Sequence, residues 1–126
     1  MDTLEDIFGP PIDVYTRAQA IDDGVLVDVS ETAQEAGITF PVAMTRRLWD
    51  EYITPDPRAV WQSEAGRLWD VLWMFRLACR RGGDRIIFKV IFVMKKAQRR
   101  TIRLKALCGP GDDAEPVVTI MLPDED

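Results

Sequence analysis

The chain has no histidine. That absence removes the side chain that most often acts as a general base near neutral pH. It also removes Ser–His and Cys–His nucleophile pairs and the mixed Cys/His patterns of zinc sites. Cysteine is nearly as scarce: Cys79 and Cys108 are the only two, too few for a disulfide framework or a four-thiolate metal site. Both sit in apolar-periodic segments and are expected as buried thiols. No apolar stretch approaches the ~20 residues that span a bilayer, and the N-terminus has no basic region followed by an apolar run. No membrane contact is therefore expected, and the cytoplasm is the default location. The ligand spacing of a calcium loop is missing, and no cofactor is expected.

What is present fits one globular domain. The chain has 126 residues, of which 47% are apolar, and a chain of that size buries about two-thirds of its unfolded surface. Charge is uneven along it. Residues 1–40 carry a net −8, residues 41–110 a net +9, and residues 111–126 a net −6. A basic middle between acidic ends is read either as a mixed surface that pairs with itself or as a polarised surface that steers a charged partner.

Residues 1–14, rich in acids and containing Gly9-Pro10-Pro11, read as an irregular arm, and residues 15–126 as a single α+β domain. Thr16 and Gln19 have the form of a capping box, opening a short helix that stops at Asp23-Gly24. Val25–Val29 reads as a strand. Ser30 is placed as the cap of a helix over 31–36, with Gly37 at its end. Pro41 suits the first turn of a further helix, in which Met44, Leu48 and Tyr52 recur at helical spacing, and Thr54-Pro55-Asp56-Pro57 ends it.

The segment 63–81 is the longest helix candidate. Its apolar residues lie nearly all round, which predicts a buried central helix with Trp69 and Trp73 in the core. Gly82-Gly83 stops it. The period then changes to two. Ile86, Phe88, Val90 and Phe92 alternate on one face; Ile102, Leu104, Ala106 and Cys108 follow, with Arg103 and Lys105 outward; Val118, Ile120 and Leu122 form a third run. The expected architecture is short N-terminal helices and one strand, a central buried helix, then a three-stranded antiparallel meander.

Several groups could carry function. The loop Cys108-Gly109-Pro110-Gly111-Asp112-Asp113 lacks the Lys-Ser/Thr ending of a phosphate loop, and its acids would repel phosphate. It reads as a hairpin connection that could also set two carboxylates before a cation or a basic partner. Lys95, Lys96, Arg99 and Arg100, with Arg103 and Lys105 beyond, would form a basic β-ribbon able to grip phosphates. The acids of the two ends (Asp2, Glu5, Asp6 and Asp13; Asp112, Asp113, Glu115, Asp124, Glu125 and Asp126) would suit a basic groove. Trp61 and Tyr52, beside Arg58, are the expected aromatic partner anchors. Asp28, Glu64 and Asp70 are carboxylates a catalyst could use, but nothing fixes two of them at a working distance. Ser30 and Ser63 are better explained as caps. No catalytic residue or metal ligand is assigned, and the chain is not expected to be an enzyme.

The stretch from Val14 through Thr16-Arg17-Ala18-Gln19 and Val25-Leu26-Val27-Asp28-Val29 to Ala33, together with Gly66-Arg67-Leu68-Trp69-Asp70-Val71-Leu72-Trp73-Met74, Cys108–Asp113 and Thr119-Ile120-Met121-Leu122-Pro123, resembles a family of small bacterial proteins known as a domain of unknown function. The resemblance covers nearly the whole chain and brings no assigned chemistry, so it transfers no site residue. Members recur on phages, plasmids and integrated elements. The resemblance thus implies a mobile-element accessory protein. By analogy with other small acidic proteins of such origin, it would bind and block a host defence complex such as a CRISPR effector, its acidic ends mimicking nucleic acid. The alternative is a nucleic-acid-binding accessory factor using the ribbon at 95–105. Sequence sets no oligomeric state.

Overall fold

The computed structural model describes residues 15–54, 63–94 and 98–125. The acidic residues of 1–14, Trp61, Lys95, Lys96 and Asp126 therefore lie outside the described residues. Helix α1 (Arg17–Asp22) opens as the sequence predicts. Thr16 accepts from the Gln19 N–H, Gln19 reaches back to the Thr16 N–H, and Asp23 caps the far end. Gly24 then turns at φ +80° into strand β1 (Leu26–Asp28). Helix α2 (Ser30–Glu35) follows, but Ser30 is its first residue rather than its cap. The Ser30 hydroxyl donates to Asp28 Oδ1 at 2.6 Å and accepts from the Val42 N–H at 3.0 Å. It thereby satisfies a strand amide across the corner between β1 and β2.

The helix expected from Pro41 is half strand. Val42–Thr45 is β2, with Val42, Ala43 and Met44 fully buried. A short apolar run has no period of its own, and here the pairing partners decide it. The true helix start is Thr45, whose Oγ1 accepts from the Leu48 N–H at 3.2 Å. Helix α3 (Arg46–Leu48) continues into a wider π-helical turn, Trp49–Ile53.

Helix α4 (Glu64–Ala78) is capped by Ser63, which accepts from the Gly66 N–H, and tightens into a 3₁₀ turn at Cys79–Arg81. Strands β3 (Arg85–Val93), β4 (Arg99–Pro110) and β5 (Pro116–Met121) pair antiparallel in sequence order. The sheet is larger than a three-stranded meander. Its order is β1-β2-β5-β4-β3, with β2 parallel to β5 and antiparallel to β1.

Alternation sorts the side chains. Phe88, Val90, Phe92, Leu104, Ile120 and Met44 point to the inner face, where Leu72 and Phe75 of α4, Ala33 of α2, and Leu48 and Ile53 meet them in one core. Each large side chain fully buried there contributes about 1.5–3 kcal/mol. The outer face is covered only in part. At its β2/β5 end Arg17 donates to the Thr119 hydroxyl at 2.6 Å and to the Val118 carbonyl at 2.7 Å, and Ala20, Ala43 and Met121 are buried. Its β3/β4 end is open: Lys89, Thr101 and Arg103 are exposed, and Ile91 is 58% exposed. Among the described residues no helix is long and apolar enough to cross a membrane.

Candidate functional site: an exposed tryptophan face

Helix α4 is not buried all round. It is packed on one side only, so Leu68, Val71, Leu72 and Phe75 turn inward while Trp69 and Trp73 remain 39% exposed. Their rings stack at 6.2 Å between centroids and 11° between planes. The Arg76 guanidinium lies 5.3 Å from the Trp73 centroid, so spacings of four and three residues build a ladder of flat groups along the helix surface. Gly37 holds the ladder from behind. It stands at φ +88°, and a Cβ there would come within 3.1 Å of the guanidinium. Met74 and Leu77 extend the apolar face, each 38% exposed. Large side chains that expose this much apolar surface together mark contact surfaces more often than isolated ones do.

Next to this face runs β3, the edge of the sheet among the described residues. Two shallow hollows, of about 540 and 450 Å³, share Met74 and Lys89 and so form one groove between α4 and β3. Arg81 and Arg103 line one end, Asp70 and Trp73 the other. Partial desolvation raises the Asp70 carboxyl above the ordinary aspartate range. A third hollow, of about 360 Å³, lies on another side of the same C-terminal half of the helix, between Phe40, Phe75, Arg76, Cys79 and Cys108. The two thiols are free, with Cys79 exposed and Cys108 half-buried rather than both in the core. Both are held above the ordinary thiol range, first by desolvation, which disfavours the reactive thiolate.

Four of the C-terminal acids, Asp112, Glu115, Asp124 and Glu125, are bound within the chain. Asp112 accepts from the backbone N–H groups of Arg17 and Ala18 at 2.8 and 3.0 Å, clasping the start of α1. Those bonds, that of Ala18 foremost, hold its carboxyl below the ordinary range. Glu115 accepts from the Asp113 N–H at 2.8 Å. Asp124 pairs with Arg47 at 2.8 Å, and that contact lowers its pKa. Glu125 accepts from the Thr45 hydroxyl and the Leu122 N–H, both at 2.8 Å. Glu64 and Asp28 are likewise engaged, with Thr54 and Ser30. Among the described residues no three Cys, Asp or Glu side chains gather as a metal site.

The basic ribbon is thinner than expected. Lys105 is on the outer face with Arg103, as the alternation predicts, but it is buried there, because the turn at 122–125 folds over it and its ammonium donates to the Glu125 carbonyl. Arg99 and Arg103 share the outer face, and Arg103 is directly opposite Lys89. Arg100, one position from Arg99, points to the other side of the strand. Tyr52 is half-buried, and its ring stacks on Phe92 at 5.9 Å, so it packs rather than anchors. The exposed aromatic pair is the one that helical spacing had assigned to the core. The sequence shows the girdle, an apolar belt all round the helix, but not which side of it a neighbour covers.

These features define a small α+β protein with one mixed five-stranded sheet and an apolar contact face on its longest helix. Residues 8–126 match a family of unknown function (DUF6573), and the chain belongs to that family. No curated protein and no solved structure matches it.

Proposed function

We propose that the protein acts by binding another protein, and that Trp69, Trp73, Met74 and Leu77 are its principal contact. The observation that supports this reading is the stacked, cation-braced tryptophan pair left exposed on α4. Its rings are already ordered, so little side-chain entropy remains to be lost on binding. The acidic-mimic version is weaker for the C-terminal acids, since Asp112, Glu115, Asp124 and Glu125 already accept hydrogen bonds within the chain. The mobile-element setting implied by the resemblance makes a host defence complex, such as a CRISPR effector, the partner to test first.

Tagged protein is used to recover partners from host lysate, with and without nuclease, beside a variant carrying Trp69→Ser and Trp73→Ser. One host complex that survives nuclease and is lost with the variant supports the reading. Recovery that is unchanged by the variant overturns it. Recovery that vanishes with nuclease turns attention to the second reading, nucleic-acid binding by the outer face, for which the adjacent Lys89 and Arg103 speak. In that case Arg99→Ala with Arg103→Ala, both on that face, weakens binding to DNA or RNA across sequences.

A further inference from the structure

Strand β3 is nine residues long and, among the described residues, ends the sheet. Which of its backbone groups face outward follows from the ladder. The Cys108 N–H donates to the Asp84 carbonyl at 2.8 Å, and the Met94 N–H donates to the Gln98 carbonyl at 2.6 Å. Both are opposed pairs in the β3–β4 register. Hydrogen-bonded pairs alternate in an antiparallel ladder, so the even-numbered residues of β3 bond to β4. The odd-numbered ones, Ile87, Lys89 and Ile91, aim N–H and C=O away from the sheet. Val93 agrees with this phase, because its carbonyl accepts from Arg67 rather than from β4. Long edges of this kind recruit further strands unless something prevents it.

The side chains say which strand would fit. On the outer face the odd residues present Lys89, with Arg103 opposite it on β4. On the inner side the groove is floored by Met74 and Leu77 of α4. A strand added to β3 would alternate its own side chains between these two surroundings. A second copy of β3 holds no acid to answer Lys89: registers that oppose Lys89 to Ile87, Ile91 or Val93 leave its ammonium without a carboxylate, and those centred on Lys89 or Ile87 set it against Lys89 or Arg85. Like charges directly opposed are destabilising.

We infer that β3 is a docking edge for an extended partner segment in which acidic and apolar residues alternate, the acids lying over Lys89 and Arg103 and the apolar side chains against Met74 and Leu77. This deepens the protein-binding reading, on which it rests, by naming the form of the partner. Asp70 closes the far end of the groove and favours a basic or neutral residue there.

The probe is a fluorescein-labelled peptide alternating valine and glutamate, followed by anisotropy against the full chain. It binds saturably, and the same peptide with lysine for glutamate binds at least tenfold more weakly. In the antiparallel pairing the residue opposite Lys89 exchanges both hydrogen bonds with it. N-methylation of the glutamates therefore abolishes binding, while N-methylation of the valines leaves it within a few-fold. Lys89→Glu with Arg103→Glu, two exposed positions, reverses the preference between the glutamate and lysine peptides. Equal effects of the two N-methylated peptides, or no saturation at millimolar peptide, overturn the inference. So does a dimer in sedimentation equilibrium that excludes the peptide, or a labelled oligothymidylate that binds the same face and displaces it. If the partner from lysate is lost with the Trp69/Trp73 variant but kept with Lys89→Glu and Arg103→Glu, the tryptophan face stands and the docking edge does not.

Discussion

Arg67 shows how one residue can join three elements. It is 4% exposed, its guanidinium donates to the Tyr52 carbonyl at 2.7 Å and the Val93 carbonyl at 2.6 Å, and it lies 5.4 Å from the Phe92 centroid. Burial lowers its pKa, yet an arginine stays charged through the whole working range. Arg67→Leu strands both carbonyls and costs about 2–3 kcal/mol in urea unfolding. Arg67→Lys recovers less than half of that loss, because a single ammonium cannot span both acceptors as the planar fork does. Asp112 makes a different case. Its native pKa is depressed, so its contribution is fully present above the unfolded aspartate value of about 3.9 and is lost as pH falls through the lower native value. Asp112→Asn therefore lowers the thermal midpoint at pH 7, and the gap between mutant and parent narrows as the scans are repeated toward pH 2. A gap that stays constant with pH would mean that the carboxylate charge is not what holds α1.

At the scale of elements, much of the architecture was legible and the exceptions have causes. The capping box at Thr16, the stop at Gly24, the cap at Ser63 and the alternation of β3 to β5 rest on local chemistry, and local chemistry is what a sequence displays. Strand β2 was hidden because its three apolar residues carry no period, and its pairing with β5 joins positions far apart in the chain. The exposed tryptophans were hidden for the opposite reason: helical spacing shows which residues share a face, not how many faces a neighbour covers. The buried Lys105 depended on a turn at 122–125 that strand reading does not reach. Two predictions belong here. Trp69→Ser and Trp73→Ser together cost about 2–4 kcal/mol in urea unfolding, since rings that are only 39% exposed keep most of their area against the protein and their mutual stacking is lost as well. Lost binding therefore counts for the surface only where circular dichroism shows the variant folded. A double-mutant cycle of Thr45→Ala and Glu125→Ala in urea reads a coupling of about 0.5–1 kcal/mol across their hydrogen bond. No coupling would detach the 122–125 turn from the start of α3.

At the scale of the whole molecule, the charge segregation along the chain is partly neutralised in the fold. The acidic end supplies clasps to Arg47 and to the amides of α1, while Lys89, Arg99 and Arg103 of the basic middle stay exposed on the outer face of β3 and β4. Association through the tryptophan face is accordingly expected to weaken only a few-fold between 50 and 500 mM salt, as ~10 Å screening lengths affect distant charges more than apolar contact. A loss of several decades over that range in a titration against the recovered partner would point to charge as the principal contact.

The parallel pairing of β2 with β5 also sets an order of events during synthesis. Val42, Ala43 and Met44 have no neighbour on that side until Val118, Thr119 and Ile120 exist, and α1 waits for Asp112, 95 positions downstream. While the ribosome is still at work, the first two strands can form only a lone two-stranded pair across α2, and an isolated pair of strands is marginal in water. The sheet closes once the last strand has been made and is free to insert between β2 and β4. Until then an apolar strip remains open on the nascent chain, and chaperones or early neighbours can reach a surface that the finished protein never shows.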